Sequence, residues 1–118
     1  MTKKPTRKSM IKKLDKLVFE IVLKRDGGKC VVCGSKEKLS PGHVFSRRHL
    51  ATRWNLQNVH VQCIPCNYLH VRDQYPYFNW FVRTYGQVAL DDLRAKYQLI
   101  THYKIKDLEE MYADLEAK

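Results

Sequence analysis

The sequence lacks any apolar run approaching the roughly 20 residues that a membrane-spanning helix needs. It also has no secretory leader and no lipidation motif, so we expect a soluble chain in the reducing cytoplasm, without a membrane partner. No internal repeat occurs, and the only low-complexity tract is a short basic stretch at the start. These absences argue against membrane-spanning, lipid-anchored and repeat proteins and favour a compact globular one.

Acidic residues are scarce. The 118 residues include 12 Asp and Glu against 22 Lys and Arg, a formal net charge of +10. Such an imbalance favours an anionic partner, and for a small domain nucleic acid is the leading candidate. An anionic membrane surface and a merely solvated basic surface are the alternatives. The hydrophobic content of 44% is ordinary for a single folded domain.

Cysteine is also rare, and its placement is informative. The four cysteines form two Cys-x-x-Cys pairs, Cys30 with Cys33 and Cys63 with Cys66. This spacing predicts a four-thiolate tetrahedral zinc site, since each pair forms a tight turn with both sulfurs on one side. Two disulfides are the alternative, but a reducing compartment disfavours them. Because four thiolates leave no coordination position open, the predicted zinc is structural.

Hydrophobic periodicity predicts an α+β fold. Apolar residues recur at helical spacing after Ser9, a candidate N-cap, and Lys12 and Lys16 occupy the polar face of that helix. We expect strands over 39–45 and 55–62 and a helix over 67–73. The predicted organisation is a flexible basic arm over 1–8 and one domain over 9–118, with its core at 29–74 and helical flanks at 9–26 and 77–117.

The central residues resemble the HNH nuclease signature, namely Gly42-His43, then Asn58, then Cys63-x-x-Cys66-Asn67. The sequence between these motif residues, including Ser46-Arg47-x-His49, is similar to that of the phage NinG/Rap recombination endonucleases. This resemblance runs from about residue 14 to residue 97. It implies a ββα-metal (His-Me finger) core, stapled by the four-cysteine zinc site and flanked by helices.

The resemblance implies a metal-dependent DNA endonuclease that acts on branched recombination intermediates such as Holliday junctions and D-loops. In that scheme His43 is the general base, because imidazole titrates near neutral pH. Asn58 holds the loop and the backbone at His43 in register, and Asn67 offers its amide oxygen to Mg²⁺ or Mn²⁺. A phage-encoded enzyme of this kind would work in the cytoplasm of its bacterial host.

The sequence departs from the family pattern at Gly42, where many HNH enzymes carry an acidic residue or a histidine that binds the metal. A single amide oxygen is a poor site for Mg²⁺, which normally has carboxylate or phosphate support. We therefore expect a second ligand elsewhere, with His49 as the first candidate and His70 and Asp73 behind it.

Three arginines between the strands, Arg47, Arg48 and Arg53, are predicted DNA contacts, because the guanidinium fork matches phosphate oxygens. Lys12 and Lys16, on the basic face of the first helix, are predicted to contact DNA as well. No sequence-reading helix is evident, so recognition by shape is expected. A homodimer would suit the two cuts that a symmetric junction needs. The main alternative is a non-catalytic zinc-containing nucleic-acid-binding module. A protein–protein adaptor and a sequence-specific restriction or homing enzyme are further ones.

Overall fold

The computed structural model of the protein describes residues 4–118. Its elements follow the order helix, strand, short helix, strand and four helices. They are α1 (Arg7–Arg25), β1 (Leu39–His43), α2 (Leu50–Arg53), β2 (Val59–Cys63), α3 (Ile64–Arg72), α4 (Tyr75–Tyr85), α5 (Gln87–Tyr97) and α6 (Ile105–Glu116). The α+β class predicted from the sequence is confirmed. No helix within residues 4–118 combines the length and apolar character that crossing a membrane requires.

Strands β1 and β2 form a two-stranded antiparallel sheet in which Leu39 lies opposite Cys63 and His43 lies opposite Val59. All five residues of β2 are buried, so this strand is covered on both faces. Helix α3 begins at the residue after β2 and packs against the sheet. The loop from β1 to β2, which carries α2, emerges where His43 ends β1.

Two hydrophobic clusters enclose the sheet. The first joins α1, α6 and one side of β2, and its buried members are Met10, Leu14, Val18, Val22, Trp54, Val59, Val61, Leu108 and Leu115. The second joins the chain after β1 to α4 and α5, and its buried members are Val44, Phe45, Tyr77, Phe81, Leu90 and Leu93. The end of β1 thus lies between two packed layers, which hold His43 in place.

Helix α1 starts earlier than the sequence predicted. Thr6 is the N-cap, its side chain accepting from the Ser9 N–H at 3.1 Å, while the Ser9 hydroxyl accepts from the Thr6 N–H at 2.9 Å. This reciprocal capping box makes Ser9 a residue of the first turn instead of the cap. The predicted arm over 1–8 was therefore wrong for Arg7 and Lys8, which are helical. Residues 1–3 lie outside the described part of the chain.

Two other helices also begin before their predicted positions. Helix α3 starts at Ile64, because Cys63 has the extended backbone of an N-cap and Pro65 lies in the first turn. Helix α4 starts at Tyr75, where a break was expected, because Pro76 also lies in a first turn, where proline is tolerated. Asn67 is consequently well inside α3 and not at its start.

Candidate zinc centre and active-site groove

The four cysteine sulfurs form one cluster. The Sγ atoms of Cys30, Cys33, Cys63 and Cys66 all lie within 4.8 Å of one another, and the Cys33 and Cys63 sulfurs are 3.6 Å apart. Tetrahedral zinc with Zn–S bonds of about 2.3 Å separates its sulfurs by about 3.8 Å. The cluster therefore has the size and the soft donor set of a single four-coordinate zinc ion, as the sequence predicted.

The first cysteine pair is held by main-chain bonds. The Cys30 N–H donates to the Ser35 carbonyl at 2.8 Å, and the Gly34 N–H donates to the Cys30 carbonyl at 2.8 Å. Gly34 has a φ of +81°, a left-handed conformation that residues with a Cβ atom rarely adopt. The Val31 N–H donates to the Val61 carbonyl at 2.9 Å, which ties this turn to β2.

The second pair is placed by the junction between strand and helix. Cys63 ends β2 and caps α3, and Cys66 lies in the first turn of that helix. The two cysteine pairs thus bring together the turn that contains Cys30 and Cys33, the sheet and α3. A metal ion there would fix α3 relative to β1, and with it the groove described below.

The pKa values of the cysteine thiols are consistent with a bound cation. Burial would raise the pKa of the Cys30 thiol, but backbone N–H groups of Cys33, Cys63 and Val32 bond to its sulfur and lower the pKa to about 7. For Cys66, burial and the neighbouring thiols raise the pKa. Thiols this close oppose one another's ionisation, and a zinc ion removes that opposition by balancing the thiolate charge.

A separate groove of about 640 Å³ opens between the end of β1, the loop that follows and α3. Among its lining residues are His43, Arg47, Arg48, His49, Asn67 and His70. The fold therefore brings together six residues that the sequence analysis singled out for catalysis, metal binding or phosphate contact. Lys12 and Lys16 are exposed on α1 and do not line this groove, and neither does Asp73.

His43 is the last residue of β1 and is held by a backbone oxygen. Its Nε2 lies 3.1 Å from the Arg53 carbonyl. Because a carbonyl can only accept, Nε2 must carry the proton, and the Nδ1 lone pair remains. No other group within residues 4–118 bonds to that nitrogen. Burial lowers the pKa of His43 to about 4, so the ring is neutral at physiological pH.

The carbonyl that holds His43 is itself fixed through Asp15 on α1. The Arg53 guanidinium donates to both Asp15 carboxylate oxygens, at 3.0 and 2.7 Å, and the Trp54 indole donates to the same carboxylate at 2.8 Å. Burial would raise the pKa of Asp15, but these hydrogen bonds outweigh it and lower the pKa. Arg53 was predicted to grip phosphate, whereas here its side chain bonds to Asp15 and is largely buried.

Asn58 ties together the two ends of the loop between the strands. Its side chain is fully buried, and Oδ1 accepts from the Phe45 N–H at 2.9 Å. Its Nδ2 group donates to the carbonyls of Phe45 and Thr52, at 3.0 and 3.1 Å. These three bonds fix the chain just beyond His43.

Replacing Asn58 with alanine should destabilise the domain by roughly 3 kcal/mol or more, because three buried backbone groups would lose their partner. Thermal and denaturant unfolding of the variant would measure this loss. Asn55→Ala is the matched control, since the Asn55 amide oxygen makes one exposed bond, to the Gln57 N–H at 2.9 Å. Equal stability of the two variants would show that the Asn58 bonds do not hold the loop.

His70 is turned away from a metal-ligand role. Its Nε2 donates to the Val44 carbonyl at 2.9 Å, and its Nδ1 is buried without a partner within residues 4–118. The ring packs edge-on against Tyr77 with centroids 4.9 Å apart, and burial lowers its pKa. His70 therefore supports the backbone beside His43, and the expectation of a metal ligand is not favoured by this geometry.

The three other candidate ligands differ in position. His49 caps α2, and its ring packs against Tyr97 at 4.8 Å while still lining the groove. Asp73 accepts from the Tyr75 N–H at 3.1 Å and helps to start α4. Asn67 donates through Nδ2 to the Ser40 hydroxyl at 3.2 Å and to the Pro41 carbonyl at 3.4 Å, which leaves the Oδ1 atom available as a metal ligand.

The groove does not supply what a magnesium ion needs. Its lining residues in the described chain include no Asp and no Glu, so Asn67 Oδ1 is unsupported by any carboxylate. Gly42 cannot be replaced by an acidic residue without rearrangement, because a Cβ there would lie 2.7 Å from Cδ of the buried Gln62 side chain. The expected Mg²⁺ site does not fit the residues present.

Sequence reasoning missed two residues that position His43. Asp15 gave no signal beyond being one acidic residue on a basic helix. Tyr77 was considered only as part of an expected helix break at residues 75–77, but its buried hydroxyl donates to the Gly42 carbonyl at 2.7 Å. The Tyr77 hydroxyl oxygen also lies 2.8 Å from His60 Nδ1, which must donate to it because the hydroxyl proton is used in the bond to Gly42. His60 is fully buried, and this bond makes it a structural residue of the core.

Searches of curated proteins and of solved structures found no match. A family match was found, however, and it covers residues 2–118, nearly the whole chain. The matched family is described as Bacteriophage Lambda NinG protein. With a match of this extent, the protein belongs to the NinG family of phage proteins.

Proposed function

We propose that this protein hydrolyses phosphodiester bonds of DNA, acting on branched intermediates of phage recombination. The observation that carries the proposal is His43, a neutral imidazole whose Nδ1 lone pair is free in a groove bordered by Arg47 and Arg48. Membership of the NinG family supports a phage recombination-related role.

The proposed chemistry assigns one task to each group. His43 Nδ1 removes a proton from the attacking water, a general-base step that contributes about 10²- to 10⁴-fold to a rate. The water oxygen bonds to phosphorus as the bond from phosphorus to the 3′ oxygen breaks, the leaving 3′ oxygen takes up a proton from solvent, and His43 returns its proton to solvent. Arg47 and Arg48 are exposed on the groove rim, where their guanidinium forks bind the phosphate oxygens. The Arg53 carbonyl holds the His43 ring in one orientation, and Asn58 fixes the backbone next to it. The Nδ1 lone pair of His43 therefore needs no reorientation before it accepts a proton.

The HNH resemblance is consistent with this arrangement. The candidate base ends β1, the positioning asparagine precedes β2, and Asn67 lies on α3, which gives the order that a ββα-metal core requires. A catalytic Mg²⁺ or Mn²⁺ ion belongs to the same resemblance. Because the groove offers the Asn67 amide and the His49 imidazole without a carboxylate, we assign no step to such an ion.

Branched DNA is the proposed substrate because of charge and shape. A net charge of +10 favours binding to the phosphate backbone, and Arg47 and Arg48 on the groove rim suit contacts to phosphate, so we propose that DNA is recognised by its shape. Two copies of the chain acting together would supply the paired cuts that a symmetric junction requires.

A non-catalytic zinc-containing nucleic-acid-binding module is the second candidate. The observation in its favour is the buried Gln62 side chain, which occupies the space beside Gly42 and prevents a metal-binding acid there. Such a protein would bind branched DNA through the same basic groove without cutting it.

Labelled DNA distinguishes the two candidates. A linear duplex, a flap, a D-loop and a four-way junction are incubated with the protein in Mg²⁺, in Mn²⁺ and in EDTA. We expect cleavage of the branched substrates in preference to the linear duplex. Tight junction binding without cutting under any of these conditions would establish the binding module instead.

The arginine pair on the groove rim gives a separate prediction. The double variant Arg47→Ala, Arg48→Ala should weaken junction binding at low salt and reduce the slope of log affinity against log salt by about two. Fluorescence anisotropy over a salt series measures both quantities. The control is Arg83→Ala, Lys96→Ala, which removes the same charge from exposed positions outside the groove. Equal behaviour of the two variants would remove Arg47 and Arg48 as phosphate contacts.

A further inference from the structure

Helix α3 carries an exposed apolar stripe on its outer face. Ile64, Tyr68 and Val71 are 41%, 71% and 82% exposed, and their spacing of four and then three residues aligns them on one side of the helix. No residue of α3 is buried. The stripe therefore contributes little to the core, so packing within the domain does not explain an aromatic residue at position 68.

The stripe continues the active-site groove. A second cavity of about 320 Å³ is lined by Ser40, Ile64, Asn67, Tyr68 and Val71. Three of these residues, Ser40, Asn67 and Val71, also line the groove that contains His43. A strand bound at Arg47 and Arg48 could therefore extend across Asn67 onto the Tyr68 ring without leaving the concave surface.

We propose that the α3 stripe is a stacking subsite for an unpaired nucleobase of the DNA strand in the groove, with the Tyr68 ring as its platform. The inference rests on the proposed function, because the groove supplies the strand. Aromatic rings beside basic groups are the usual means of binding single-stranded nucleic acid, since every base offers a π-face. An unpaired base is available at a branch point, whereas a linear duplex keeps its bases stacked.

Charge decides between nucleic acid and other occupants. The stripe lies next to a groove with two exposed arginines and no carboxylate among its lining residues, on a protein of net charge +10. A second copy of this basic chain would bring like charges together at the groove rim. A DNA strand places phosphates against the arginines and an apolar base face against the tyrosine.

The test uses a forked duplex with 2-aminopurine at the first unpaired position and a blunt duplex of the same sequence. Tyr68→Ala should weaken binding of the fork by about tenfold, leave blunt-duplex binding unchanged and abolish the 2-aminopurine quenching that stacking causes. Tyr68→Phe should retain the quenching, because the ring is kept. Tyr75→Ala is the matched control, since Tyr75 is equally exposed at 71% but lines neither cavity.

Two results would overturn the subsite. One is a Tyr68→Ala protein that quenches and binds the fork like the unmodified chain. The other is a fall in assembly size of Tyr68→Ala by sedimentation velocity, which would make the stripe an interface between copies. These binding measurements need no cleavage. A protein that stacks the base but never cuts DNA contradicts only the proposed hydrolase activity.

Discussion

His43→Ala is expected to lower the rate of junction cleavage by at least about 10²- to 10⁴-fold, because it removes the proposed general base. The fold should remain, since the ring makes one hydrogen bond, to the Arg53 carbonyl, at the edge of the groove. Initial cleavage rates measure the first effect, and near-ultraviolet circular dichroism with thermal unfolding measures the second. His102→Ala is the control, because His102 is exposed and does not line the groove.

The pH dependence of cleavage gives an independent check on His43. Burial lowers its pKa to about 4, so the imidazole is already unprotonated at neutral pH. The contribution of this base should be constant from about pH 6 to pH 8 and should fall as the pH drops through about 4. His43→Ala activity near that of the unmodified chain, or a base titrating near 6.5 that the variant abolishes, would contradict the assignment.

The same burial makes the fold sensitive to acid. His43 has a folded pKa of about 4 against 6.5 for the free side chain, so the unfolded chain binds the proton first. Stability should therefore be fully present above about 6.5 and decrease as the pH falls toward 4. The buried His60, whose pKa is lowered to about 3 by burial, adds to the same trend.

Removing the zinc is expected to unfold the domain. Structural zinc contributes about 10–16 kcal/mol in zinc-finger peptides, which is as large as the total stability of about 5–15 kcal/mol of a typical domain. Cys63→Ser should therefore lose cooperative unfolding, because it removes one ligand at the junction of β2 and α3. Metal analysis should find one zinc per unmodified chain, and circular dichroism should report the loss of fold.

Refolding on return of the metal is the control for the zinc prediction. Protein unfolded by a chelator should regain its native spectrum when Zn²⁺ is restored, and Co²⁺ in its place should produce the absorption of a thiolate-bound tetrahedral ion. A Cys63→Ser variant that keeps a native spectrum and an unchanged unfolding midpoint without metal would show that the cluster is not a structural zinc site.

Local patterns in the sequence were enough to predict the zinc ligands and the order of elements around them. Cysteine spacing depends on a tight turn and two sulfurs, and both are encoded within a few residues of Cys30 and Cys63. The first strand, predicted over 39–45, likewise begins at Leu39 as expected, although it ends at His43, two residues early. Features with short-range causes were therefore recovered well.

The supports of His43 could not be predicted, because they come from distant parts of the chain. Asp15 lies on α1 and reaches Arg53 only after the helix has packed against the sheet. Because Arg53 is paired with Asp15, it positions His43 and does not serve as the phosphate contact that was predicted. His70 likewise has suitable spacing for a ligand beside Asn67, but the bond to the Val44 carbonyl directs its ring elsewhere. Side-chain partners of this kind are decided by tertiary packing alone.

The packing of α6 on α1 makes maturation of the groove depend on a helix that is synthesised after the groove residues themselves. Leu108 and Leu115 of α6 complete the cluster that seats α1, and α1 carries Asp15. While translation has not reached α6, the apolar face of α1 lacks its cover and Asp15 lacks a firm seat beside Arg53. A nascent chain still on the ribosome should therefore hold His43 loosely. Firm placement of His43 is thus expected only after synthesis has passed Leu115.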